Sequence, residues 1–369
     1  MSGSSREHQP PLSIHALSMT AGAPGFSLEL GRGEAISLLS ETTDQLGLFC
    51  DVLSGFAAPA SGCVMINGEP ILEEPPERRD IALVSAREPV FGHMDVADNI
   101  AFSLRVRGMP LHEMNAIVSN RLALLGLDAF SSTRADSLSP EYDLRLRLAR
   151  ALAFNPSVLV LDDILSGLDL RAIIRTRQLI TKLHRALGLT LLYTANSRED
   201  AVWLGGRIAL FDKLTLVQCA NASILLDRPA TPWVASLFAE ANLLVGRTLT
   251  IEDDVATVHL ASGGIVEALA DADLEEDSLC VLCIRPDRIT PLFSTSVLDD
   301  DGPQPLVATL QSVLNTGEQM RLRLRLSDGV EIEMRRPLLQ SGRHLAPGTP
   351  MQLAWQASQA VAFPMKDDL

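Results

Sequence analysis

"LLSETTDQLGLF", Leu38 to Phe49, joins an apolar strand-like run at residues 35–39 to an apolar helix-like run at 46–53. A strand, a tight loop and a helix N-terminus in this order form the setting in which nucleotide-binding chains place a phosphate loop. Such a loop needs glycines, so that consecutive backbone N–H groups can wrap an anion, and a lysine for the outer oxygens. This one has no lysine, a single glycine, and two acids, Glu41 and Asp44. The helix dipole offers an anion about 1 kcal/mol. Each acid opposes a phosphate charge by roughly 3 kcal/mol at about 5 Å and an effective dielectric near 20. Repulsion wins, so the stretch is expected to serve as a structural strand-to-helix turn.

Strands and helices alternate outward from this point. "CVMING", "IALVSA", "SVLVLDD" and "TLLYTA" are continuous apolar strands, and "RLALLGL" and "LRLRLARALAF" are helical. The pattern predicts a mainly parallel α/β sheet covered on both faces. Beyond Leu243 the texture changes to short alternating strands, "GRTLTIED", "ATVHLASGG", "SLCVLCIRPDRI" and "MRLRLRLSDGVEIEMR", which predict a small all-β barrel. The expected organisation is a tail at 1–12, an α/β domain at 13–242 and a barrel at 243–369. Around Ser327-Asp328-Gly329, simple hairpin register sets Glu331 opposite Arg325 and Glu333 opposite Arg323. The arginine ladder then reads as a solvated face neutralised by its neighbour strand. The segment "STSVLDDDGPQP", with no periodic apolar face, reads as a loop.

With 369 residues, 47% of them hydrophobic, the chain has material for two cores. A formal charge of -15 disfavours nucleic acid as a partner. Five cysteines in mostly apolar contexts suit a reducing compartment. Cys280 and Cys283 form a C-x-x-C within a strand, where residues three apart face opposite sides, so two packed thiols are expected rather than a metal or redox pair. The N-terminal "MSGSSREHQPP" is followed by no apolar run, so no signal peptide is expected, and no stretch approaches the ~20 apolar residues of a membrane span.

Several stretches together resemble the ATP-binding subunits of ABC importers, in the branch that carries a C-terminal TOBE/OB-like barrel and includes polyamine, ferric-iron and sugar importers. "GEAISLLSETTDQLGLFCDVLSGF" is similar to the Walker A strand, loop and helix, and "ERRDIALVSAREPVFGHMDVADNIAFSLRVRGMP" to the Q-loop and the start of the helical subdomain. "DSLSPEYDLRLRLARALAFNPSVLVLDDILSGLDL" resembles the signature, Walker B and D-loop, "LLYTANSREDAVWLGGRIAL" the switch region, and "CIRPDRI" a barrel strand. The resemblance implies a P-loop NTPase-like ABC nucleotide-binding domain with a helical subdomain, followed by the barrel. It implies ATP and Mg²⁺ as family cofactors, and permease subunits as partners with a periplasmic binding protein beyond them. It also implies pairing with itself or a sister subunit, and a cytoplasmic place on the inner membrane. The D-loop residues Ser166, Gly167, Leu168 and Asp169 are retained and would lie at a subunit interface.

The chemical positions of that family are changed. Ser40, Thr43 and Gln45 replace the Walker A glycines, with Thr42 beside them. Leu46 takes the lysine position, and Gly47 and Leu48 take the hydroxyl positions. Ala86 stands for the Q-loop glutamine, Asn196 for the switch histidine, and Ser139, Pro140 and Glu141 for the signature. Asp162 keeps the Mg²⁺-holding Walker B carboxylate, and Asp163 replaces the catalytic glutamate with a shorter acid. The two acids equally fit a strand-end pair capping the next turn. Two leading functional readings follow, with an active ATPase that rebuilt its site from unusual residues set last. One is an importer subunit of spermidine/putrescine type that docks on a permease as a pseudo-ATPase, the stretch "VFGHMDVADNIAFSLRVRG" keeping the family look where the permease docks. The other is a non-enzymatic regulatory or scaffold protein whose barrel binds a ligand or a partner protein.

Overall fold

The dipeptide Asn67-Gly68 is a hairpin signal, because a tight two-residue turn between right-twisted strands requires positive φ at both positions. In the computed structural model both residues have it, at 49° and 83°. They join β4 (Ser61–Ile66) to β5 (Glu69–Pro70) in an antiparallel sheet of order β2-β1-β4-β5, with β1 (Leu12–Ser18) and β2 (Phe26–Leu30). "CVMING" therefore leaves the parallel sheet that the sequence suggested for it. The structure describes residues 9–292, 305–338 and 346–365, and only the backbone of Thr43 and Asp44. Most of "STSVLDDDGPQP" lies outside the described residues.

The chain divides into two units, Met1–Ala222 and Ser223–Leu369. In the first, the remaining elements are β3 (Ala35–Ser40), α1 (Thr43–Ser54), β6 (Ile81–Ser85), α2 (Val96–Val106), α3 (Leu111–Leu125), α4 (Pro140–Leu152), β7 (Val158–Asp162), α5 (Leu170–Leu187), β8 (Leu191–Ala195), α6 (Arg198–Val202), β9 (Arg207–Asp212) and β10 (Thr215–Ala220). They build a sheet of order β10-β9-β3-β8-β7-β6, parallel except for the β9–β10 hairpin at its edge. The continuous apolar strands are buried along their whole length, as a sheet covered on both faces demands. Leu12, placed in the expected tail, is the fully buried first residue of β1. One core cluster joins the antiparallel sheet to α1 and the parallel sheet, and Phe26, Phe49 and Phe211 meet in it with ring centroids 5.2–5.7 Å apart.

The second unit begins with α7 (Ala222–Asp227) and α8 (Pro232–Ala239), followed by β11 (Asn242–Glu252), β12 (Val255–Leu260), β13 (Ile265–Ala270), β14 (Leu279–Ile284), β15 (Thr290–Leu292), β16 (Leu306–Asn315), β17 (Gln319–Leu326), β18 (Glu331–Pro337), β19 (Pro350–Ala354) and β20 (Ala360–Pro364). The boundary falls near residue 222 rather than 242. Ala235 of α8 packs on Val281, Cys283 and Phe363 of the barrel strands, so this helix shares their core. Strands β11-β12-β13-β20-β14 close a barrel, and β15-β19-β16-β17-β18 form a second sheet.

Arg325 pairs in register with Glu331 and Arg323 with Glu333, while Leu322, Leu324 and Leu326 are buried on the other face. The Arg325–Glu331 ion pair measures 2.8 Å and is half-exposed, as a solvated, neutralised face requires. Cys280 and Cys283 are free thiols in different core clusters, on opposite faces of β14. Burial pushes the Cys283 thiol up to about 12.

Candidate functional site

Strands β3, β6, β7 and β8 run parallel, so their C-terminal ends meet along one edge, where crevices in such sheets form. Ser40 ends β3 and its hydroxyl bonds Gln45 at 3.4 Å. Thr42 is the N-cap of α1 and makes no side-chain cap bond. Leu46, at the lysine position, is fully buried in the core cluster, so nothing basic extends from this turn. Gly47 is buried and Leu48 partly exposed.

Asp162 ends β7 with its side chain 5% exposed. A carboxylate buried to this extent must be paired or hydrogen-bonded. Ser85 donates to its Oδ2 at 2.8 Å and Thr194 to its Oδ1 at 3.3 Å. Arg87, from the loop after β6, gives Oδ2 two further bonds, at 2.9 Å from Nη2 and 3.2 Å from Nε. The same guanidinium grips Asp51 of α1 at 2.9 and 3.1 Å and reaches the Gly47 carbonyl at 3.3 Å. Asp51 first, then Asp162, raise the Arg87 pKa further, so the guanidinium stays charged throughout. Burial and the nearby Asp162 push the Cys50 thiol well up, which leaves it inert beside this network.

Asp163 has a positive φ of 47°. Its N–H donates to Thr194 Oγ1 at 2.8 Å, and its carboxylate accepts from Asn196 Nδ2 at 2.6 Å. The pair at the catalytic-acid and switch positions is thus closed upon itself. The backbone N–H of Ala86 donates to the Asp162 carbonyl at 3.2 Å.

Ser139, Pro140 and Glu141 lie apart from this network, at the start of α4. Glu141 accepts from Arg145 at 2.8 Å and from Arg175 of α5 at 3.0 Å. The Arg175 bond, and behind it the Arg145 bond, hold its carboxyl below the ordinary glutamate range against the opposing effect of burial. A carboxylate depressed in this way contributes stability above its unfolded pKa and loses it as pH falls through the folded value. Glu141→Gln should therefore cost about 1 kcal/mol near neutral pH. The difference from wild type should vanish below the glutamate range, as read from urea midpoints against pH. In the retained Ser166–Asp169 turn, Asp169 caps α5 by accepting from Ala172 N–H at 2.8 Å, and Gly167 takes a φ of 75°.

The positions that the resemblance assigns to Mg²⁺ and ATP are engaged differently here. Both Asp162 oxygens are engaged by protein donors, the hydroxyl positions hold Gly47 and Leu48, and the lysine position is a core leucine. The structure brings Asp162, Asp163 and Asn196 to one strand edge, together with Arg87, Asp51, Ser85 and Thr194, which the sequence did not single out. A usable signal existed, namely a cation immediately after the lost glutamine in a site whose acid was kept.

Residues 25–166 match the family model described as ABC transporter, and residues 282–363 match the TOBE domain. The chain is an ABC transporter ATP-binding domain followed by a TOBE domain. The TOBE match lies within the barrel unit, and the ABC transporter match takes in Asp51, Arg87 and Asp162. The chain is 28% identical over 360 residues to the spermidine/putrescine import ATP-binding protein PotA of Rubrobacter xylanophilus, covering 95% of this chain and 94% of that protein. It is 29% identical over 314 residues to PotA 1 of Pseudomonas aeruginosa, covering 84% and 83%. The solved structure of cbiO1 from Clostridium perfringens, described as part of the ABC transporter complex cbiONQ, superposes with a TM-score of 0.53 at 18% identity, covering 62% of this chain and 96% of that one, which shows the shared fold.

Proposed function

We propose that this ABC transporter domain takes the place of the ATP-binding subunit in an importer of the polyamine class for which its relatives are named, and docks on a permease without binding or hydrolysing ATP. The observation that carries the reading is the internal saturation of Asp162 beside a buried Leu46. A groove of about 310 Å³ lies open between the β6–α2 loop and the helical part of the same unit, lined by Phe56, Phe91, Phe102, Val106 and Phe154. Phe56 and Val106 are 60% and 64% exposed, whereas Val96, Ile100 and Leu104 of the same stretch are core. Exposed apolar side chains clustered in a groove support a protein-docking role. No helix among the described residues is long and apolar enough to cross a membrane, so attachment would run through the permease. Pairing with itself or a sister chain through the Ser166–Asp169 turn belongs to the same reading.

The test is fractionation of cells expressing the chain. Wild type should sediment with membranes and crosslink to an integral membrane protein, and Val106→Asp should shift it to the supernatant with its fold intact. Recovery of both forms in the soluble fraction would overturn the docking role and favour a scaffold acting through the barrel.

A further inference from the structure

Three oxygens from two segments, two of them on α1 and one at the end of β7, converge on one nitrogen, Arg87 Nη2. They are Asp51 Oδ1 at 2.9 Å, Asp162 Oδ2 at 2.9 Å and the Gly47 carbonyl at 3.3 Å. Two carboxylates and a carbonyl around one point are the donor set that hard divalent cations take. Ser85, donating to Asp162 Oδ2 at 2.8 Å, orients that ligand as an outer-sphere partner does. Glycine inside a helix costs about 1 kcal/mol relative to alanine. At Gly47 an added Cβ would stand 3.4 Å from the guanidinium carbon, an ordinary contact, so the planar group lies directly over this turn of α1.

We infer that Arg87 is the resident cation of a small oxygen-lined site, a tethered guanidinium that holds the place of a divalent ion and keeps free ions out. With Arg87 present, Asp51 and Asp162 are matched by one delocalised positive charge and five fixed donors. Without it, two negative charges face each other across a space already shaped for a cation. The inference shares its site with the proposed loss of nucleotide binding, but it concerns the metal alone.

Mn²⁺ binding, followed by electron paramagnetic resonance and by calorimetry on the full chain without nucleotide, tests it. Arg87→Ala should bind Mn²⁺ about tenfold or more tightly than wild type. Arg87→Lys, which keeps a tethered charge, should behave as wild type, and Arg87→Ala with Asp162→Asn should lose the gain. Millimolar methylguanidinium should raise the unfolding temperature of Arg87→Ala and leave that of wild type unchanged. Should Arg87→Ala not fold, Arg87→Gln keeps a planar donor without charge and carries the same expectation. An Arg87 variant folded by circular dichroism that binds Mn²⁺ no better than wild type would overturn the inference and leave the functional reading standing. Mg-ATP binding by wild type would instead end the functional reading.

Discussion

Arg87→Met is expected to destabilise the first unit by about 2–3 kcal/mol in metal-free buffer, and Asp162→Asn in the same chain is expected to restore most of the loss. The side chain of Asp162 is 5% exposed, and its one cationic partner among the described residues is Arg87. Removing one member of an enclosed ion pair typically costs 3–5 kcal/mol, roughly, because the remaining charge is stranded away from water. Arg87 is itself 52% exposed, so solvent shares its charge and the figure is discounted. Asp51 can turn to water after the change, since its side chain is 25% exposed, whereas Asp162 has only the Ser85 and Thr194 hydroxyls left. Neutralising Asp162 removes the stranded charge and keeps one hydroxyl bond at the remaining oxygen, while the other hydroxyl turns to accept from the new amide, so the double variant should recover most of the loss. Urea unfolding with EDTA present measures all four corners of the cycle. A double variant as unstable as Arg87→Met alone would mean that Arg87 contributes through its packing against Gly47, not through charge.

Where one physical rule dominated, the sequence was legible. Along β17, strict alternation with leucine on the buried face allowed a single register, so the Arg325–Glu331 and Arg323–Glu333 pairs followed. Residues three apart on β14 had to face opposite ways, so Cys280 and Cys283 had to separate. The helix α8 is apolar and short, and its composition does not say which sheet it covers. Its packing on Val281 and Phe363 moved the unit boundary to residue 222. The β4–β5 hairpin was signalled by Asn67-Gly68, but an apolar run alone does not distinguish a parallel from an antiparallel partner.

At the site, the departures from the resembled motifs were legible and the side-chain network around Arg87 was not. Leu46, Ala86 and Asn196 could each be recognised from residue type alone as departures from the motifs the sequence resembles. The substitute network joins Arg87 to Asp51, 36 positions away, and to Asp162, 75 positions away. Contacts of that separation exist only once β6, β7 and α1 have assembled, and no periodicity records them.

We propose that the chain itself closes the nucleotide site. Family phosphate loops combine lysine, hydroxyl and glycine N–H groups, and here a buried leucine, a helix-interior glycine and an arginine-bridged acid pair stand in their place. Calorimetry of Mg-ATP on the purified chain, wild type beside Asp162→Ala, is the most direct test. No binding heat at about 1 mM nucleotide is the predicted result for both proteins, an affinity weaker than about -4 kcal/mol. Binding to wild type in the micromolar range, lost in Asp162→Ala, would contradict the account and restore a working nucleotide site.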